Sequence, residues 1–204
     1  MGAVEDAANA LKAGQPVILP TDTVYGLCAD PFSEDHVRAL YRLKGRPATQ
    51  PTAVLFRSVA TLLDCVPGLG QGAGEVAEAL LPGPYTLIFP NPAREFPWLA
   101  GERPDTLGIR VPALAGVARE VLAQVRAVAA TSANRPGQRE ARRVEDVPDE
   151  LRAACGAVVD GGELPGTPST ILDFTGAEPT VLREGAASAA EALERVGAAV
   201  VSRK

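Results

Sequence analysis

Apolar positions along this chain switch repeatedly between a period near 3.6 and a period of two, the pattern of helices interleaved with strands. Val4, Ala7, Ala8 and Leu11 fall on one face of a helix that Gly14 closes, and Val17-Ile18-Leu19 follows as a short buried strand ending at Pro20. Ser33 caps a second helix carrying Val37, Leu40, Tyr41 and Leu43 on one side. Further strands are expected at 53–56, 85–89, 106–111, 125–130, 157–160, 169–174 and 180–182, and helices at 59–66, 75–81 and 114–124. Pro82-Gly83-Pro84 stops the helix before it, and Ser188 with Glu191 makes a capping box for the last one. The segment 68–74 reads as a glycine-rich loop, 90–104 as a surface loop, and 198–201 as a terminal strand. No repeat or low-complexity linker divides the chain. The pattern predicts a single α/β domain over residues 1–204, a twisted mixed sheet of parallel and antiparallel strands with flanking helices.

With 204 residues and 46% hydrophobic content, the chain can bury a sizeable core without a metal or disulfide staple. Cys28, Cys65 and Cys155 are too far apart for a disulfide framework or a zinc pattern, which fits a reducing compartment. No apolar run reaches the ~18 residues that span a bilayer, and residues 1–14 do not read as a signal peptide. The expectation is a cytoplasmic protein without a membrane partner. A net charge of −5 argues against general coating of nucleic acid. His36 is the single histidine and lies in a polar helical turn, which removes histidine triads and most histidine metal chemistry. The run 68–74 is not a dinucleotide fingerprint, because Ala73 stands at the third glycine position and a helix, not a strand, precedes it.

Chemistry concentrates where strands and helices end. Leu43-Lys44-Gly45-Arg46-Pro47 places two cations at a helix terminus, and both are expected at the surface. Thr131-Ser132-Ala133-Asn134 places hydroxyls and an amide where a buried strand emerges. Pro20 to Leu27 gathers Thr21, Asp22, Thr23 and Tyr25 between two apolar stretches. Arg110 ends a strand just before Pro112, a position where a guanidinium pairs with a structural carboxylate or with a ligand. Ser169 and Thr170 open one strand and Arg183 ends another. Five strand edges presenting hydroxyls or guanidiniums suggest a shared cleft for a phosphate-bearing ligand.

In this order the segments resemble the YrdC-like family of threonylcarbamoyl-AMP synthases. Pro20 to Leu27 is similar to the family's PTDTxYGL element, Lys44-Gly45-Arg46 to its KxR element and Ser132-Ala133-Asn134 to its SxN element, with further blocks at 106–112, 169–173 and 181–185. The resemblance runs over about 14–185 and matches the short, single-domain form. It implies a nucleotidyltransferase that joins L-threonine, bicarbonate and ATP into threonylcarbamoyl-AMP and pyrophosphate, for N6-threonylcarbamoylation of tRNA. Lys44 and Arg46 would position phosphates, without a side-chain nucleophile. The nucleotide would be held by Lys44, Arg46, Gln50, Thr106, Ser132, Asn134 and Arg183. Threonine would be held by Thr23, Arg110 and Thr170, with Arg110 taking its carboxylate. Mg²⁺ would ride mainly on the ATP phosphates, and tRNA and threonylcarbamoyl-transfer proteins are candidate partners.

Three positions depart from the family pattern. Gln50 stands where asparagine is common, Leu55 where a histidine falls, and Gly137-Gln138-Arg139-Glu140-Ala141 replaces a serine–proline–threonine loop. The polar stretch 135–143 is expected to be mobile, its arginines closing over phosphates as a lid. Two other functions fit the sequence: a module binding tRNA or double-stranded RNA without turnover, through Arg135, Arg139, Arg142 and Arg143, or a carbamoyl-adenylate-forming enzyme with another substrate.

Overall fold

In the computed structural model, which describes residues 2–201, the chain runs α1 (Ala3–Lys12), β1 (Val17–Pro20), β2 (Tyr25–Ala29), α2 (Glu34–Lys44), β3 (Ala53–Phe56), α3 (Val59–Cys65) and α4 (Gln71–Leu80). It continues through β4 (Tyr85–Pro90), β5 (Thr106–Arg110), α5 (Gly116–Val125), β6 (Ala127–Ser132), α6 (Asp149–Ala153), β7 (Ala157–Val158), β8 (Thr170–Asp173), β9 (Thr180–Arg183) and α7 (Ala189–Val201). The helix ends follow local chemistry. Ser33 Oγ accepts from the His36 N–H, and Gly45 takes the left-handed conformation (φ 70°) that stops α2.

The nine strands form one sheet in the order β7-β1-β2-β6-β3-β5-β4-β8-β9. β7/β1, β3/β5 and β4/β8 are parallel and the other neighbours antiparallel, so the mixed sheet with flanking helices is observed as expected. Several local expectations give way to tertiary packing. Residues 68–74 contribute a 3₁₀ turn (Pro67–Leu69) and the start of α4, which packs on α3 and α7. The segment 90–104 is not a surface loop: Asn91, Phe96, Leu99 and Ala100 are buried in it. Residues 198–201 extend α7 instead of forming a strand. Arg126, at φ 70°, breaks α5 from β6, which moves the sixth strand forward to include Thr131 and Ser132.

Alternation along the strands divides the core. Leu27, Val54, Phe56, Leu87, Phe89, Leu107, Ile109 and Leu172 face the larger cluster, shared with α2, α3, α4 and α7. Val17, Leu19, Cys28, Leu55 and Val128 face the opposite side, where α1 and α5 supply Ala7, Leu11, Val121 and Leu122. These two helices cover the part of that face built from β7, β1, β2 and β6. Beyond Leu55 the same face is lined by Ala53, Gly108, Ile88, Thr86 and Ile171, and it floors a cleft.

Candidate active site

The cleft's floor follows from strand register. Leu55 lies beside Arg110 across the parallel β3/β5 pair, Ile88 beside Gly108 across β4/β5, and Thr86 beside Ile171 across β4/β8. Small side chains at Ala53, Gly108 and Ala130 make a shallow apolar bed, while Arg46, Arg103, Arg110 and Arg183 stand around it. Thr23, Arg46, Thr106, Arg110, Ser132 and Arg183, from five separate stretches of the sequence, all line this one cavity.

The guanidiniums are fixed by the protein. Arg46 donates from Nη1 to Thr131 Oγ1 (3.0 Å) and from Nη2 to the Pro51 carbonyl (2.5 Å). Arg183 grips the Ser169 carbonyl with Nε and Nη2 (2.9 and 2.8 Å). Arg110 donates from Nη2 to Asp22 Oδ1 (2.7 Å) and to Thr23 Oγ1 (3.3 Å). Burial lowers the pKa of all three; the Asp22 carboxylate offsets this at Arg110, and Glu140 does so at Arg183. Four buried side-chain atoms lack a hydrogen-bond partner among the described residues: Arg46 Nε, Arg110 Nε, Thr52 Oγ1 and Glu140 Oε2. All four residues line the cleft. Orphaned buried polar atoms are costly, and their gathering in one cavity marks where a polar ligand belongs.

Other expected site residues sit elsewhere. Lys44, expected at the surface, is 4% exposed. Its Nζ donates to the Ser132 carbonyl (2.6 Å), to Asn134 Oδ1 (2.5 Å) and to the Asn134 carbonyl. Burial pulls its pKa down to about 8, against the opposing pull of Glu140. Asn134 spends its amide on the Gln138 and Arg139 carbonyls and its Oδ1 on Lys44 and Ser132 Oγ (2.7 Å). Neither residue lines the cleft; together they hold the end of β6 in place. Gln50 is exposed outside the cleft. Thr170 is fully buried, and its hydroxyl bonds the Ala187 carbonyl and the Gly185 and Ala187 N–H groups. Alternation is the reason: Thr170 shares a face with Leu172 in the core, while Ser169 and Ile171 face the cleft.

The segment 135–143 makes several ion pairs and hydrogen bonds with the rest of the chain. Arg135 bonds Glu150 Oε1 (2.9 Å) and the Leu43 carbonyl (3.0 Å), and Arg142 and Arg143 share Glu163 (2.7 and 2.5 Å). Three of the four arginines expected to reach phosphates or RNA are thus paired with carboxylates. The segment supplies Glu140 to the cleft instead. Sequence reasoning missed Asp22, Arg103, Thr86 and Glu140. Asp22 was legible as a turn residue, but its partners Arg110 and the Ala113 N–H (3.0 Å) are 88 and 91 residues away. Arg103, held by Asp173 (2.7 Å) and Thr175, gave no local signal at all. No group of three or more His, Cys, Asp or Glu side chains suited to caging a metal occurs among the described residues.

The site is a sheet-floored cleft rimmed by four guanidiniums, two of which, Arg46 and Arg110, keep an unsatisfied Nε, an arrangement suited to an anionic ligand. The Sua5/YciO/YrdC family model, described as "Telomere recombination", matches residues 9–185, and the chain belongs to that family. A provisionally assigned threonylcarbamoyl-AMP synthase of Mycobacterium leprae is 37% identical over 195 residues, 95% of this chain and 88% of its own length. The threonylcarbamoyl-AMP synthase of Halorhodospira halophila is 35% identical over 158 residues, covering 78% of this chain and 82% of that one. Among solved structures, Pyrococcus abyssi Sua5 complexed with L-threonine superposes with a TM-score of 0.86 at 31% identity. That match covers 95% of this chain but 57% of the Pyrococcus protein, so this chain spans little more than half of that relative. Among the described residues, no helix is long and apolar enough to cross a membrane.

Proposed function

We propose that the chain is an L-threonylcarbamoyladenylate synthase, forming threonylcarbamoyl-AMP and pyrophosphate from L-threonine, bicarbonate and ATP. The observation that carries this reading is the set of four guanidiniums, two with an unsatisfied buried Nε, around a cleft whose floor suits a flat base. Family membership and the threonine complex of the Pyrococcus relative support it. The threonine amine combines with bicarbonate to give a carbamate and water, one carbamate oxygen attacks the α-phosphorus, and the bond to the leaving pyrophosphate breaks. No side-chain nucleophile is required; the protein must align two anions and offset their charge.

In this assignment Arg46 and Arg183 meet the phosphates, with Thr106 and Ser132 beside them. Arg110, steadied by Asp22, takes the threonine carboxylate next to Thr23. Lys44 and Asn134 act indirectly, by fixing the strand end that carries Ser132. Mg²⁺ held on the phosphates would supply charge neutralisation as pyrophosphate departs. Glu140 is the one carboxylate among the residues lining the cleft. The product would pass to the proteins that transfer threonylcarbamoyl groups to tRNA.

The test is pyrophosphate release from ATP and bicarbonate, with each amino acid supplied in turn. Release dependent on threonine is expected. Equal rates with another amino acid would reassign the substrate. Salt-dependent tRNA binding without any release would replace the enzyme reading with an RNA-binding one.

A further inference from the structure

One carboxylate faces a cleft otherwise built for anions. Glu140 is the sole acidic residue among those lining it, in company with Arg46, Arg103, Arg110 and Arg183. Its Oε2 is closed off from solvent and has no hydrogen-bond partner among the described residues. Other carboxylates nearby are committed: Asp22 to Arg110, Asp173 to Arg103, and Glu163 to Arg142 and Arg143. Glu140 forms no ion pair among the described residues, although its charge reaches Lys44 and Arg183. It is also held firmly. On one side Asn134 Nδ2 bonds the Gln138 and Arg139 carbonyls, and on the other the Ala141 carbonyl accepts from the Tyr25 N–H (3.0 Å).

Facing a polyphosphate, an unpaired carboxylate repels it unless a cation lies between them. A magnesium ion is suited to that place, because it binds through one or two protein carboxylates and completes its octahedron with phosphate oxygens and water. We propose that Glu140 is the protein's own ligand to the divalent cation carried by the nucleotide, so that the segment 135–143 selects metal-bound over bare ATP. This rests on the reading of the cleft as a nucleotide site. It also gives that segment a task other than the arginine lid its composition suggests.

Wild type, Glu140→Gln and Glu140→Asp would each be titrated with a non-hydrolysable ATP analogue, in EDTA and in Mg²⁺. Mn²⁺ in the ternary complex would be followed by electron paramagnetic resonance, and thermal midpoints would confirm folding. In wild type, Mg²⁺ should tighten analogue binding at least tenfold. In Glu140→Gln, metal-free binding should hold or improve, because a repelling charge is gone, while the Mg²⁺ gain and the Mn²⁺ affinity fall at least tenfold. Glu140→Asp should recover part of both. An unchanged Mg²⁺ gain in Glu140→Gln would overturn the proposal. So would equal weakening with and without metal, or unchanged Mn²⁺ affinity with an altered pH–rate profile, which would make Glu140 a proton acceptor. If wild type binds no analogue under either condition, the nucleotide reading itself fails, and this inference with it.

Discussion

Asp22→Asn isolates what the buried Asp22–Arg110 pair does. The two side chains are 9% and 10% exposed, and Asp22 accepts from Arg110 Nη2 at 2.7 Å and from the Ala113 N–H at 3.0 Å. Asparagine keeps the shape but removes the carboxylate's charge from its bond to the Arg110 cation, a loss of about 1 kcal/mol. Its amide group also leaves one of the two donors facing another donor, which costs roughly 1–3 kcal/mol more. The sum, about 2–4 kcal/mol, lowers the melting temperature by roughly 5–15 °C in a chain of this size. Because the pair is buried, the loss should persist at 1 M salt, where exposed pairs are screened. The assay is thermal unfolding followed by circular dichroism, alongside the KM for threonine. Arg110 keeps its charge, so the KM should not rise, whereas Arg110→Met should raise it by about tenfold to a hundredfold. A melting temperature for Asp22→Asn within about 2 °C of wild type would refute the claim that this contact secures the turn after β1 to the end of β5.

Lys44→Met should destabilise by roughly 2–4 kcal/mol, read from denaturant midpoints, because it strands buried acceptors on Asn134 and Ser132. Between about pH 8 and 10.5 the unfolded chain holds the extra proton at Lys44, so stability from this group rises with pH, by at most about 1.4 kcal/mol per unit. Lys44→Met should abolish that rise, which paired pH titrations of unfolding would detect. Arg46→Ala should weaken ATP binding about tenfold or more with a much smaller effect on threonine, as measured by calorimetry. Thr170→Val should lower the melting temperature and leave both KM values unchanged, while Ser169→Ala, on the cleft face, should alter substrate affinity.

The sequence was sufficient for the class of fold, for most strand positions and for the idea of a shared cleft, because these depend on local periodicity and on polar residues where strands end. Thr23, Arg46, Thr106, Arg110, Ser132 and Arg183 were each legible as anomalies, and the sheet brings all six together. Which face a side chain takes was decided by register: Thr170 and Ser169 look equivalent in sequence, yet alternation sends one to the core and one to the cleft. Whether a cation meets a ligand or a carbonyl was decided by packing. Lys44 and Arg46 are two residues apart, but the helix end turns the first onto Ser132 and Asn134 and the second into the cavity. The roles of Asp22, Arg103 and Glu140 at the cleft became visible only in the tertiary structure. A charge's role depends on partners brought close by folding, and the partners of Asp22 and Arg103 lie 70 or more residues away.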